Sequence, residues 1–532
     1  MSDRQRVAVV TGGGGGIGAA IAESLGGTGA FVVTIDPLVS VDGSEPLPQT
    51  EETTAARIVA AGGAGRASSV SVTDAEAIRR LFEQLADEFG GLDAVVNVAG
   101  ITRPTSFAKG SDDDWRSVLS VHLDGYRNVL GAALPLMAAA GRGHILGVTS
   151  GSGWRSADAG AYGCAKRAVA SLTWQLGRHA PPGVVVNAIS PIAATRMVAA
   201  ALGRTQKPSG SATGGLSLGA MPAPEHLGPL GAHLVGRTFD SCHGRVLFAA
   251  GSEVAVIDEP RLVEVVRSDD VSSPAHVIQR AAGVALIPAE AHQVSGGGSN
   301  ARLGSMFDEP PAHDLPTAVA RSCAVVADRP EVAAALSDSL KARGVAPHPI
   351  DSPTALADID ALDAVVIALA GTPEATDTAS AWERILAEHD AIVDQIHADA
   401  RWTRAAADLA VERDRPVRVV TITSATTAGG RSRAQASAQL ARAGRKATAD
   451  LVLPFAISAE SDGAQFNRGL AELAAYLVCS PEAIDLAGAE LVAGTGWFGL
   501  RSHPRPIGSI SFGGPALPSW FDDTLREVVP AR

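Results

Sequence analysis

The sequence predicts an α/β protein made of two tandem, doubly wound parallel sheets, the second a degenerate copy of the first. Three observations carry that reading. Residues 6–200 alternate short Val/Ile/Ala-rich runs with helical patterns, as parallel βαβ units do. The phrase LDAVVNVAG at 92–100 returns as LDAVVIALAG at 362–371, without its asparagine. The 532 residues are also too many for one ordinary core.

Taken in order, RVAVV (6–10), AFVVTID (30–36), LDAVVNVAG (92–100), HILGVTS (144–150) and VVVNAIS (184–190) read as strands. They are continuous apolar runs, the pattern of strands covered on both faces. Helical patterns lie between them, at 74–90 and 112–137. The Gly/Ser/Pro-rich segment 203–225 reads as a flexible lid, and 245–260 as a closing strand and hairpin. Residues 291–316 have linker composition. The pattern then restarts with CAVVAD (323–328), a helix from 330, LDAVVIALAG, one long helix at 381–402, VRVVTITSA (417–425), ADLVLPFAIS (449–458) and AELVAGTG (489–496). Several echoes in one order, at an offset near 270 residues, predict an internal repeat. The expected division is 1–290, linker 291–316, and 317–532.

Composition narrows the function classes. A net charge of −13 argues against a nucleic-acid or anionic-membrane surface. Four scattered cysteines and no metal-ligand spacing among the histidines suggest neither a disulfide framework nor a metal site. No apolar run approaches the ~18 residues that crossing a membrane requires, and the N-terminus lacks the pattern of a signal peptide. A cytoplasmic protein is expected.

TGGGGGIG (11–18) follows the first strand and opens a helix, the context of a Rossmann-type dinucleotide loop. Glycine lets backbone approach a pyrophosphate, and the helix N-terminus offers free N–H groups. Asp36 closes the second strand, where a carboxylate accepts the ribose hydroxyls and repels a 2′-phosphate. No Arg or Lys stands in 11–18 or in PLVS after Asp36, so NAD is expected over NADP. In AYGCAK, Tyr162 and Lys166 are four apart on a helical pattern and share a face. A nearby ammonium, together with an oxidised nicotinamide, would favour phenolate, which makes the tyrosine a candidate general base. TSGS just upstream supplies a hydroxyl for the substrate oxygen; Ser150 is the expected one, with Thr149 and Ser152 as alternatives.

These residues resemble a classical short-chain dehydrogenase/reductase over 6 to about 265. Thr11, Gly12, Gly16, Ile17 and Gly18 match its TGxxxGxG; Asn97, Val98, Ala99 and Gly100 its NNAG; Tyr162 and Lys166 its YxxxK; and Asn187, Pro191 and Thr195 its NxxxPG..T. The insert after Asp36, with SVHLDG, TSGSG and VNAISPIAATRM, is similar to the (3R)-hydroxyacyl-CoA dehydrogenase units of multifunctional β-oxidation enzymes and their bacterial relatives, some of them steroid-degrading. The resemblance implies Tyr162 as base, Lys166 on the nicotinamide ribose, and Ser150 on the reacting oxygen. It places Val72, Asn97, Ala99 and Gly100 along the cofactor cleft and Thr195 at the carboxamide. Four departures stand out: His122 where the family usually has Asn, as the hydroxyacyl branch often does; Ser71 where an acid brackets the adenine; Val98 in NNAG; and a Ser150–Tyr162 loop one residue short. His122 is either a proton relay or a packing residue.

The second copy keeps strands and loses chemistry. Its glycine loop has become ADRPEVAA, and no tyrosine lies between 163 and 475. A non-catalytic second domain is therefore expected. It would pair with the first through their long central helices, and two chains would form a homodimer with four units. The function expected is NAD-dependent oxidation of a secondary alcohol, a (3R)-hydroxyacyl-CoA or a hydroxysteroid-like molecule. The rivals are reduction of a 3-oxoacyl thioester or ring ketone, and an NAD-binding scaffold that turns nothing over.

Overall fold

The computed structural model describes residues 4–48, 50–155, 158–205, 221–268, 274–294, 315–376, 378–514 and 516–530. Its strands are β1 Val7–Thr11, β2 Phe31–Ile35, β3 Ala64–Ser68, β4 Ala94–Asn97, β5 Gly143–Val148, β6 Val184–Pro191, β7 Val246–Ala250, β8 Glu253–Ile257 and β9 Leu262–Arg267. The second copy has β10 Ser322–Ala327, β11 Ala346–Pro349, β12 Ala364–Ala368, β13 Val417–Ser424, β14 Val452–Ala459, β15 Glu490–Gly494, β16 Trp497–Arg501 and β17 Pro506–Ser511.

Two sheets result. One has the order β17-β8-β7-β6-β5-β4-β1-β2-β3, the other β11-β10-β12-β13-β14-β15-β16-β9. From β3 to β7, and from β11 to β15, every pairing is parallel. Antiparallel pairing is confined to the β7/β8 and β15/β16 hairpins and the strands beyond them. The doubly wound α/β architecture is the expected one, in two copies. The continuous apolar runs are buried throughout: every residue of β1, β4, β5 and β12 is inside.

The sheets do not divide at 290–316. β9 leaves the first hairpin and pairs with β16 of the second sheet, while β17 leaves the second hairpin and pairs with β8 of the first. The exchange extends to the flanking helices. Val266, Val277 and Ile278 share a core with Cys323, Phe455 and Leu491; Ile510, Phe521 and Leu525 share one with Leu247 and Val254. The described residues among 262–294 thus pack with the second unit, and those among 506–528 with the first.

The repeat offset also needs correction. It holds for β4/β12, β5/β13 and β6/β14, but β1 and β10 begin at 7 and 322, and β7 and β15 at 246 and 490. The physical reason is deletion. In the second sheet β11 is the edge, with no described counterpart of β3, and β14 leads to β15 through a shorter passage than β6 to β7. The single helix expected at 381–402 is two, Ala381–Glu388 and Ile392–Glu412, separated where Ala391 adopts φ 58°. Of the expected linker, residues up to 294 finish the helix Ile287–Val294; 295–314 lie outside the described residues.

The two units meet through helices. Gly160–His179 packs along Ala428–Ala447, and Asp112–Leu119 against Ile392–Glu412. Trp115 and Leu119 belong to one apolar cluster with Ile392, Ala400 and Trp402, so the core is continuous between the copies. Gly444 permits part of this closeness: a Cβ there would lie 2.4 Å from the Phe107 ring. Among the described residues, no helix is long and apolar enough to cross a membrane.

Candidate active site

A cavity of about 740 Å³ opens at the carboxyl ends of β1, β2, β4 and β5. This is where open parallel sheets bind ligands, beside the strands at which the winding reverses. The glycine loop forms one wall. Gly12 and Gly16 have φ of +63° and +55°, a region that favours glycine. A Cβ on Gly18 would lie 2.1 Å from the Gly12 carbonyl oxygen, and one on Gly12 would lie 2.8 Å from the Ala99 nitrogen. The loop is pinned to β4: Thr11 Oγ1 donates to Asn97 Oδ1 at 2.8 Å and accepts from the Ala99 N–H at 3.2 Å. The helix that follows, Gly16–Gly27, has no side-chain cap. Its first N–H groups are thus available to an anion.

Asp36 stands at the end of β2 and accepts from the N–H groups of Gly14 (3.0 Å) and Leu38 (2.9 Å). Val72 is buried, and its carbonyl accepts from Asn128 Nδ2 at 3.0 Å. Ser71, at the position of the missing acid, pairs with Thr73 at 2.8 Å. Ile17, Ala99, Gly100 and Thr195 line the same cavity, with Thr195 opposite Gly16. Sequence reasoning missed Arg196, whose guanidinium lies 3.1 Å from a would-be Cβ on Gly15, over the glycine loop. Its signal was present, a cation directly after Thr195. It also missed Val39, Val41 and Leu47, which extend the wall beyond Asp36. Of the expected lid 203–225, residues 206–220 lie outside the described residues.

Opposite the glycines are Ser150, Tyr162, Lys166 and His122. Ser150 lies close enough to the Tyr162 hydroxyl to favour its ionised form. Thr149 instead commits its hydroxyl to the Lys166 carbonyl at 2.5 Å. Lys166 Nζ donates to the Val148 carbonyl at 2.6 Å and lies 5.7 Å from the centre of the Tyr162 ring. The acidified phenol expected from spacing is not a property of the chain by itself. Burial pushes the Tyr162 hydroxyl up, against a lowering by Ser150, and burial pushes the Lys166 amine down to about 7. The ammonium's hydrogen bond goes to a backbone carbonyl, not to the phenol.

His122 is carried by a π-helical turn, Ser120–Asp124, inserted between Asp112–Leu119 and Gly125–Ala140. Its ring meets that of Tyr162 edge-on, with centroids 5.0 Å apart. Nε2 lies 2.8 Å from the Ile101 carbonyl and therefore carries the proton; Nδ1 is buried with no partner. Burial, reinforced by Lys166, holds its pKa well below the usual histidine value. His122 is a neutral imidazole with a free lone pair beside Tyr162.

In the second copy the corresponding space is filled. Arg433 donates to both oxygens of Asp399 at 2.7 Å and to the Ala370 carbonyl at 2.5 Å. The Ala370 N–H donates to Asp328, the residue just beyond β10, at 2.6 Å. A buried ion pair thus holds the carbonyl just beyond β12, and Asp328 just beyond β10 holds the N–H of the same residue.

A family profile described as short chain dehydrogenase matches residues 6–205. A short-chain type dehydrogenase/reductase of Mycobacterium tuberculosis is 37% identical over 196 residues, 36% of this chain and 68% of that protein. The peroxisomal hydratase-dehydrogenase-epimerase of Neurospora crassa is 30% identical over 278 residues, 52% of this chain but 29% of that protein. The N-domain of a bacterial malonyl-CoA reductase, solved with NADP, covers 89% of this chain and 95% of its own, with a TM-score of 0.62 at 16% identity. That likeness extends the shared fold across both copies. The protein belongs to the short-chain dehydrogenase/reductase family, as an oxidoreductase built for a nicotinamide cofactor and a small-molecule substrate.

Proposed function

We propose that the chain is an NAD-dependent dehydrogenase that oxidises a secondary alcohol to a ketone, with a (3R)-hydroxyacyl-CoA or hydroxysteroid-like molecule as substrate. One observation carries this reading: Ser150, Tyr162 and Lys166 converge on the wall of the cavity that faces the glycine loop.

The cradle suits a dinucleotide, because Gly12 and Gly18 sit where a Cβ would collide with backbone. Gly16, Ile17 and Gly18 would hold the pyrophosphate at the helix N-terminus, with Arg196 above it. Val72, Asn97, Ala99 and Gly100 would line the cleft, Thr195 the carboxamide end, and Lys166 the nicotinamide ribose. NAD rests on Asp36: residues 35–47 contain no arginine or lysine to receive a 2′-phosphate. When bound, the oxidised nicotinamide supplies the hydride acceptor and a positive charge near the phenol.

Ser150 Oγ holds the substrate oxygen, and Tyr162 Oη takes the hydroxyl proton as the C–H bond breaks. The neutral His122, its ring edge-on to Tyr162 and its Nε2–H held by the Ile101 carbonyl, packs against the phenol and fixes that side of the site. The same residues run backwards reduce a ketone, so direction is a matter of supply. The test is absorbance at 340 nm with NAD or NADP, across (3R)-hydroxyacyl-CoAs and hydroxysteroids, for the wild type and Tyr162→Phe. NAD-dependent signal that vanishes in the variant is expected; cofactor binding without turnover of any alcohol would favour the scaffold reading. Two chains would associate into a homodimer of four units, covering Leu262, Val265 and Ile507, which are exposed on the outermost strands β9 and β17. Sedimentation equilibrium checks that assembly.

A further inference from the structure

The segment after Ser150 is a short turn, Gly151–Gly153, continued by Trp154 and Arg155. Four consecutive carbonyls in it accept hydrogen bonds from side chains. Gln439 Nε2 donates to Ser152 O at 2.9 Å and to Arg155 O at 3.0 Å. Arg442 Nε donates to Trp154 O at 3.0 Å, and Arg167 Nη1 to Gly153 O at 3.2 Å. Gln439 and Arg442 belong to the second copy. Arg167 belongs to the first, but the second copy orients it. Its Nε donates to Gln435 Oε1 at 2.6 Å, and its Nη2 is 2.7 Å from Glu490 Oε1.

The arrangement is built rather than incidental. Gln435, Gln439 and Arg442 stand at i, i+4 and i+7 of the helix Ala428–Ala447, so they form one stripe facing the loop. Arg167 is fully buried, and Glu490 nearly so. Glu490 is held further by His503 Nδ1 at 3.0 Å, whose Nε2 meets Glu290 at 2.7 Å. Burial would lower the pKa of that imidazole, but a carboxylate at each nitrogen outweighs it and pushes the pKa up. Closeness is secured by glycine: a Cβ on Gly163, the residue after Tyr162, would lie 2.9 Å from Ser152 O.

We propose that the second copy is a positioning element for the first copy's active site: Gln439 and Arg442 directly, and Gln435 and Glu490 through Arg167, fix residues 152–155 and thereby the Ser150 hydroxyl against Tyr162. The link to Ser150 is short, since its Oγ accepts from the Ser152 N–H at 3.3 Å. The inference rests on the reading of Ser150 and Tyr162 as the reacting pair. It gives the degenerate half a reason to remain without a cofactor site. A displacement of about 1 Å in such a group costs on the order of a hundredfold in rate.

The test uses the full chain with Gln439→Met, which keeps volume and removes both donors, and Arg442→Met beside Arg442→Lys. The expected result is a kcat lower by about tenfold to a hundredfold, with cofactor Kd and thermal midpoint unchanged and Arg442→Lys recovering most of the loss. Amide hydrogen exchange should rise in 150–155 and nowhere else, a readout independent of turnover. Unchanged kcat and exchange in folded Gln439→Met and Arg442→Met overturn the proposal and leave the reading of the site intact. A loss of kcat in step with cofactor affinity and thermal midpoint overturns it too, as plain destabilisation. Full activity in Tyr162→Phe sinks the reading of the site and this proposal with it. Should Gln439→Met not fold, the Arg442 pair carries the test.

Discussion

The first copy ends β1 in Thr11 and β4 in Asn97 and leaves a cavity beyond them; the second follows β10 with Asp328 and β12 with Ala370, whose N–H donates to Asp328 and whose carbonyl accepts from Arg433. Glycine changes its task accordingly. Gly18 makes room for the carbonyl of Gly12 in a cofactor loop, whereas Gly429 makes room for the carbonyl of Glu388, 1.8 Å from a would-be Cβ, in a helix contact. The strands persist in both because they are buried; the Thr11–Asn97 pair stands at the strand ends of one copy, beside the cavity. A sheet can therefore lose its chemistry without losing its core, and the lost cleft becomes packing.

The largest effect that would break this contrast is at Tyr162. Tyr162→Phe should lower kcat on the order of 10³-fold, within the range of general acid–base contributions, while leaving cofactor affinity within twofold. No single change in the second copy's filled cleft should reach that loss per folded molecule. Steady-state kinetics with titration of cofactor fluorescence checks both halves of the statement.

Next comes the filled cleft itself. Arg433→Met leaves Asp399 buried without its partner, which costs about 3–5 kcal/mol of stability. The denaturation midpoint should fall, whereas cofactor Kd should hold. Asp399→Leu added to Arg433→Met should recover much of the loss. A gain of dinucleotide binding in Arg433→Met would show that the second cleft is only plugged.

How much of this was legible follows from how local each signal is. The glycine loop, Asp36 and the Tyr162–Lys166 pair are contiguous patterns whose geometry is fixed by one strand and one helix. The strands LVEVVR and PIGSIS went unread in the sequence, and nothing local says that each pairs with the other copy's hairpin; partner choice is a tertiary property. Gln439 and Arg442 were invisible for the same reason, since their acceptors are backbone carbonyls more than 280 residues away. Spacing shows the amine near the phenol but hides the burial that pushes both groups toward their neutral forms.

A smaller effect sharpens the cofactor side. Asp36→Ser removes the carboxylate proposed to face the ribose. It should weaken NAD by about tenfold and narrow the gap to NADP, a change of roughly 1.4 kcal/mol. Calorimetric titration of both cofactors decides it, and an unchanged ratio would show that Asp36 does not select.

The smallest effect concerns Lys166 and pH. Burial lowers its amine from an ordinary 10.5 to about 7. Between those values the unfolded chain holds a proton that the folded chain has released, so this group's contribution to stability rises with pH through the window and is least favourable below about 7. The slope cannot exceed about 1.4 kcal/mol per pH unit for one group. Lys166→Met lacks the titration. The difference in urea midpoint between wild type and Lys166→Met should therefore shift in favour of the wild type from pH 7 to pH 9. The second copy offers the control: Ala434, at the matching place on its helix, has nothing to titrate, and Ala434→Ser should leave the pH dependence as it was. A difference that instead stays flat from pH 7 to pH 9 would mean the amine stays charged in the folded cleft, an ammonium beside the phenol.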